Sequence, residues 1–296
     1  MAILVNRNTR VLIQGITGRS GSQVTGELLD YGMQVVAGVT PGKGGQEVQD
    51  VPVFNSVKEV IEKVGPVDAS MVYVPPLLAY EATIEAIEAQ IPLVHIFAEK
   101  IPVFDTSRIL SLAKKKNVRV LGPASVGAIS PGEGKIGSIG GPKPGAVFSK
   151  GPVGVVSRSG GMCSELGLLI SNAGFGQSTV VGIGGDLLIG TDLSDALLDF
   201  EDDLQTKVVV AFGEVGGSQE MEAARLLKNG QMTKPLIIFL AGTFAESLPK
   251  DTSLGHAGAI VGLETTMEEK IKILKDCGAV IAEKFEDIPN LIKKSL

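Results

Sequence analysis

Short apolar runs alternate with amphipathic stretches along the first half of the chain. Residues 11–13, 35–39, 70–74, 93–97 and 118–121 carry little polar alternation, which marks strands covered on both faces. Between them, 56–64, 79–89 and 105–116 place apolar residues at helical spacing. A further helix is expected to open after the turn 15–21. This alternation predicts βαβ units and a parallel sheet, in which ligands bind beyond the carboxyl ends of the strands. The pattern restarts in the second half, with strands near 153–156, 180–183, 208–212, 235–240 and 280–282. Helices are expected there at 162–173, 193–201, 219–229, 266–277 and 286–294. Periodicity lapses over 122–150, where glycine and proline dominate. The reading is an α/β chain with one domain over 1–130, a crossing over 131–150 and a second domain over 151–296.

Composition narrows the function classes. With 44% apolar and 20% charged residues in 296, the chain reads as globular and ordered. A net charge of −6 and the absence of tryptophan argue against nucleic acid as a partner. No apolar run is long enough for a membrane span, and the first residues lack the apolar core of a secretion signal. Cys163 and Cys277 match no metal spacing, so no metal site is expected and a reducing compartment is. The expected location is cytoplasmic, with a mature mitochondrial matrix form compatible.

Candidate chemistry gathers at glycine-rich turns. His256 sits in Leu254-Gly255-His256-Ala257-Gly258-Ala259, flanked by residues with almost no side chain, so its imidazole can meet something large. Imidazole is well suited to accepting and passing on a charged group near neutral pH. Three second-half strands end in glycine pairs: after Ser157-Arg158-Ser159 come Gly160 and Gly161, after Gly182-Ile183 come Gly184 and Gly185, and after Gly213-Glu214-Val215 come Gly216 and Gly217. Helix starts at the first and third would aim positive dipole ends at an anion such as a phosphoryl group on His256. Ser159, Gly160, Gly161, Gly216 and Gly217 are the candidate phosphate or substrate contacts. Glu214 is the candidate partner of the other ring nitrogen, a helix-capping carboxylate being the plainer alternative.

The turn Gly15-Ile16-Thr17-Gly18-Arg19-Ser20-Gly21 has the wrong spacing for a nicotinamide dinucleotide. The second strand leads into Thr40-Pro41-Gly42-Lys43-Gly44-Gly45, where such a site wants an acid for the ribose. Arg19 and Lys43 instead fit a nucleotide with extra phosphate. His95, inside an apolar strand, reads as a hydrogen-bonded core histidine, and Cys163 as a packed thiol.

These motifs, with Tyr73-Val74-Pro75-Pro76, resemble over essentially the whole chain the α subunits of succinyl-CoA synthetase and related ADP- or GDP-forming acid–CoA ligases. The resemblance implies a Rossmann-like CoA-binding domain followed by a flavodoxin-like, parallel-sheet ligase domain. Thr17, Gly18, Arg19, Ser20, Lys43, Tyr73, Val74, Pro75, Glu99, Ala124 and Ser125 would bind coenzyme A. His256 would be phosphorylated, with Glu214 beside it. It also implies a hetero-oligomer with an ATP-grasp β subunit that binds ATP or GTP with Mg, in keeping with the lack of a P-loop motif here. Three departures resemble the citrate branch, citryl-CoA synthetase and ATP-citrate lyase: Ala124-Ser125 after Gly122-Pro123, Gly161-Met162 after Ser159-Gly160, and the stretch 241–249. The carboxylic acid expected is therefore citrate, with succinate the alternative. A CoA-binding regulatory protein without catalysis is the rival of another class.

Overall fold

The computed structural model describes residues 3–214, 218–242 and 266–296. Two seven-stranded sheets organise them. The first is built from β1 (Arg10–Gln14), β2 (Gln34–Val39), β3 (Glu47–Val48), β4 (Val51–Phe54), β5 (Ala69–Val72), β6 (Leu93–Ile96) and β7 (Arg119–Leu121), with helices α1 (Arg19–Asp30), α2 (Val57–Val64), α3 (Pro76–Glu88) and α4 (Val103–Lys116). Its order is β3-β4-β2-β1-β5-β6-β7. All neighbours are parallel except the short β3–β4 pair. Chain direction across the sheet reverses between β1 and β5, the arrangement of a Rossmann fold.

The second sheet contains β8 (Gly127–Ser130), β9 (Gly134–Ile136), β10 (Lys150–Ser157), β11 (Gln177–Gly182), β12 (Val208–Glu214), β13 (Leu236–Ala241) and β14 (Val280–Ala282). Helices α5 (Gly160–Asn172), α6 (Leu193–Asp202), α7 (Gln219–Lys228), α8 (Met267–Asp276) and α9 (Ile288–Ser295) complete it. The order β14-β13-β12-β10-β11-β8-β9 has five parallel strands and a reversal between β10 and β12, as in flavodoxin-like folds.

Every strand and helix expected from the apolar pattern forms. The stretch 122–150 differs from expectation, because β8 and β9 extend the second sheet antiparallel to β11. Gly127, expected in the first domain, and Gly134, expected in the crossing, therefore belong to the second sheet. Their residues are short and glycine-flanked, so no period could form.

The halves share one apolar core. Met71, Tyr73 and Leu121 from the first sheet pack in the same cluster as Val156, Val181 and Ile183 from the second. Two ion pairs cross the junction. Arg119 grips Asp199 through both guanidinium Nη atoms, at 2.9 and 2.5 Å. Lys135 on β9, fully buried, lies 3.4 Å from Glu27 on α1 and donates to the Gly141 carbonyl. Burial holds the Lys135 ammonium below the usual lysine range, with Glu27 opposing that shift. Pairs of this kind fix orientation more than they add stability.

Candidate active site

A cleft opens where the strand order of the first sheet reverses, and a second cavity lies at the carboxyl ends of strands from both sheets. In the first, Gly15 ends β1 with φ +81°, and a Cβ there would lie 2.5 Å from the Tyr73 carbonyl. Only glycine lets the β1 and β5 ends approach this closely. Gln14, Gly15, Val39, Pro41, Val74 and Leu78 are among the residues lining a cleft of about 390 Å³. Helix α1 starts beside it, capped by Gly18 without a side-chain hydrogen bond, so its first amides stay open to a ligand. By contrast α2, α6 and α8 are capped by Ser56, Asp192 and Thr266 side chains.

Arg19 and Ser20 are exposed at the α1 start, with Thr17 half-buried and 3.2 Å from the Thr40 hydroxyl. The Lys43 loop is held in shape by Asn55, whose Oδ1 accepts from the Gly42 and Gly44 amides at 2.9 and 3.0 Å. Lys43 itself is exposed. Arg19, Ser20 and Thr17 thus stand at an open helix start, a setting suited to phosphate.

Two of the nominated residues face elsewhere. The Tyr73 ring is buried in the apolar cluster that spans both halves and stacked on Phe97 at 4.7 Å. The Ser125 hydroxyl is buried, donates to the Gly182 carbonyl at 2.5 Å and accepts from the Gly127 amide. The sequence places both next to ligand-facing positions without revealing side-chain direction. Val74 lines the cleft and Pro75 caps α3.

The second crevice lies between the domains. Glu99 and Lys100 follow β6, Ala124 and Val126 follow β7, and Arg158 with Ser159, Gly160 and Gly161 follows β10. Together with Gly185 and Asp186 they line a cavity of about 250 Å³. It therefore joins Glu99 and Ala124, expected at the CoA site, to the expected phosphate turn. Ser159 caps α5 without a side-chain bond; the Ser157 hydroxyl instead braces the turn, donating to the Ser159 carbonyl and accepting from its amide. A Cβ at Gly160 would strike Val126 at 2.2 Å, so that glycine has a packing cause. At Gly161 a Cβ would meet nothing closer than 4.0 Å, which leaves the space to the cavity.

Arg158 escaped nomination although it stands in the quoted motif. It is 6% exposed, its Nη2 donates to the Asp186 carbonyl at 3.2 Å, and its buried Nε has no hydrogen-bond partner. A buried guanidinium with an unused donor beside an uncapped helix start suits an anion. The available signal was a charged residue ending an otherwise apolar strand.

Glu214 ends β12, half-buried, opposite Ala241 of β13. His256, Gly216 and Gly217 lie outside the described residues. His95 is fully buried and hydrogen-bonds the Ser125 carbonyl at 2.9 Å through Nε2, which must therefore carry the proton. Burial depresses its pKa to about 4. Cys163 is buried, and desolvation pushes its thiol up to about 12, which makes it inert. Among the described residues no His, Cys, Asp and Glu group could hold a metal ion, and no helix is long and apolar enough to cross a membrane.

The two α/β halves correspond to two known families. Residues 6–100 match the CoA binding domain family and residues 156–282 the CoA-ligase family. The chain is 44% identical to succinate–CoA ligase [ADP-forming] subunit alpha 1 of Archaeoglobus fulgidus, over 100% of this chain and 99% of the relative. It is 44% identical to the corresponding subunit alpha of Methanothermobacter thermautotrophicus, over 99% and 97% of the two chains. A solved ATP citrate lyase of Methanosaeta concilii in complex with (3S)-citryl-CoA superposes with a TM-score of 0.91 at 27% identity. It covers 99% of this chain, which spans 50% of the lyase chain. The chain belongs to the family of ADP-forming succinate–CoA ligase α subunits, which are acid–CoA ligases.

Proposed function

We propose that the chain is the CoA-binding α subunit of a ligase that joins succinate to CoA with conversion of ATP to ADP and phosphate. The observation that carries the reading is the interdomain cavity, which brings Glu99 and Ala124 against Arg158 and the open start of α5. Succinate rather than citrate is supported by the full-length identity to succinate-named subunits.

In this reading ATP is held by an ATP-grasp β subunit with Mg, and its γ-phosphoryl group passes to His256 as ADP leaves. A succinate carboxylate oxygen then takes the phosphoryl group, giving an acyl phosphate and free imidazole. The CoA thiolate attacks the acyl carbon, and inorganic phosphate departs. Division into two transfers is covalent catalysis. Arg158 and the α5 amides supply fixed positive charge where phosphate charge moves. Glu214 orients the imidazole.

Co-expression with the partner subunit and assay on succinate, citrate and malate tests the acid. Succinate should support ADP release dependent on CoA, and the others should support little. Labelled ATP should leave an acid-labile, base-stable phosphoprotein, absent in His256→Asn. A full label in that variant contradicts the carrier role. An unlabelled, inactive complex that still binds CoA would favour the non-catalytic rival.

Citrate is the second reading. It draws on the ATP citrate lyase neighbour and on the citrate-like residues Ala124-Ser125 and Gly161-Met162. Turnover with citrate above that with succinate would establish it.

A further inference from the structure

Glu220 and Lys270 are a buried charged pair that the scheme above leaves unused. Glu220, the second residue of α7, is 2% exposed, and Lys270 on α8 is 1% exposed. The Lys270 ammonium donates to Glu220 Oε2 at 3.1 Å. The other carboxylate oxygen faces β12 at Gly213, where a Cβ would lie 2.8 Å from Glu220 Oε1 and 2.5 Å from Leu240 Cδ2. Gly213 pairs with Leu240, and Glu214 with Ala241, across β12 and β13. One buried contact therefore joins the end of β12, the start of α7 and the body of α8. Along the chain, β13 and α8 are the elements immediately before and after the segment that carries His256.

We propose that Glu220 and Lys270 form a positioning pair for phosphoryl transfer, holding Glu214 in register with the ends of the His256 segment. This rests on the phosphohistidine reading. A buried ion pair is an expensive way to gain stability, because well-packed apolar residues of similar volume often serve as well or better. Its value lies in direction, for an ammonium and a carboxylate fix a distance and an angle that apolar packing leaves free. Held by Lys270, the carboxylate stays over Gly213, and Gly213 sets the backbone that presents Glu214. Neither residue touches substrate; both act through Glu214.

The test compares the αβ complex with four variants of this chain. Melting temperature, Kd for CoA, kcat and the rate of phosphoryl labelling are measured for each. Glu220→Met combined with Lys270→Met removes both charges and should melt within a few degrees of wild type. It should nevertheless lose at least about tenfold in kcat and labelling rate, with CoA affinity unchanged within about threefold. Lys270→Met alone should lose as much and also melt lower. Lys270→Arg, which keeps the pair, should retain at least about a third of the rate. Gly213→Ala should slow labelling in the presence of the intact pair, because its Cβ would crowd the carboxylate that Lys270 holds. A double variant that melts like wild type and turns over at the wild-type rate overturns the proposal, as does a normal Gly213→Ala. Should wild type turn over without taking label, the phosphohistidine reading falls, while the kcat comparison still decides the role of the pair.

Discussion

The two crevices solve the same electrostatic problem differently. Each sits beyond the carboxyl ends of parallel strands, beside a helix whose first amides no side chain caps. At the first crevice the cations are exposed, Arg19 at the start of α1 and Lys43 on a loop. At the second, beside the exposed Lys100, stands Arg158, nearly fully buried and held by a backbone carbonyl. Exposed, hydrated cations suit a ligand with several phosphates that must come and go. A desolvated guanidinium suits a single anion in transfer, where fixed charge in a dry site stabilises far more than it does in water. In the proposed function, binding and chemistry are divided between two domains joined by one apolar cluster.

The largest expected effect lies at the second crevice. Arg158→Met should lower kcat by about a hundredfold, the scale of losing one preorganised donor to a transferred anion. CoA affinity should stay within about threefold. A parallel fall in both would erase the distinction between the sites.

At the first crevice, Arg19→Ala with Lys43→Ala should raise the CoA Kd about thirtyfold, from about 1 kcal/mol per exposed phosphate contact. The loss should grow smaller with salt and with dephospho-CoA, while His256 labelling by ATP persists. Equal weakening for both ligands would remove the extra phosphate from the argument.

His95 sharpens the comparison through pH, because it lies under the junction of the two domains. Its folded pKa of about 4 is below the unfolded value of 6.5. Below the unfolded value the unfolded chain binds the extra proton. The stability contributed by neutral, buried His95 is therefore complete above it and is lost as pH falls toward about 4, by up to about 3 kcal/mol. Urea titrations at neutral and acidic pH should show this loss in wild type and a smaller one in His95→Gln. Matching slopes would deny His95 the effect.

The smallest effect belongs to Asn55→Ala. Removing the acceptor shared by the Gly42 and Gly44 amides should loosen the Lys43 loop and raise the CoA Kd about threefold, under 1 kcal/mol. An unchanged Kd would mean that the loop holds its shape without that bond.

What the sequence disclosed and withheld follows physical lines. Buried parallel strands such as Val208–Glu214 have continuous apolar patterns, so both sheets and their reversal points were legible. Val51–Phe54 was missed because Pro52 interrupts it, although Val51 and Val53 point inward in strand alternation. Gly134–Ile136 was missed because Lys135 reads as a surface residue until Glu27, distant in sequence, comes to meet it. The site was legible as glycine turns and charged residues. Side-chain direction was not: the Tyr73 ring and the Ser125 hydroxyl turn into the protein, and the Arg158 guanidinium is buried beside the α5 turn.

Calorimetric titration of CoA into three forms of the full chain tests the division most directly: wild type, Arg158→Met, and Arg19→Ala with Lys43→Ala. The account predicts indistinguishable CoA affinity for the first two and a large loss only in the third. Comparable loss in Arg158→Met, or full affinity without Arg19 and Lys43, would contradict it.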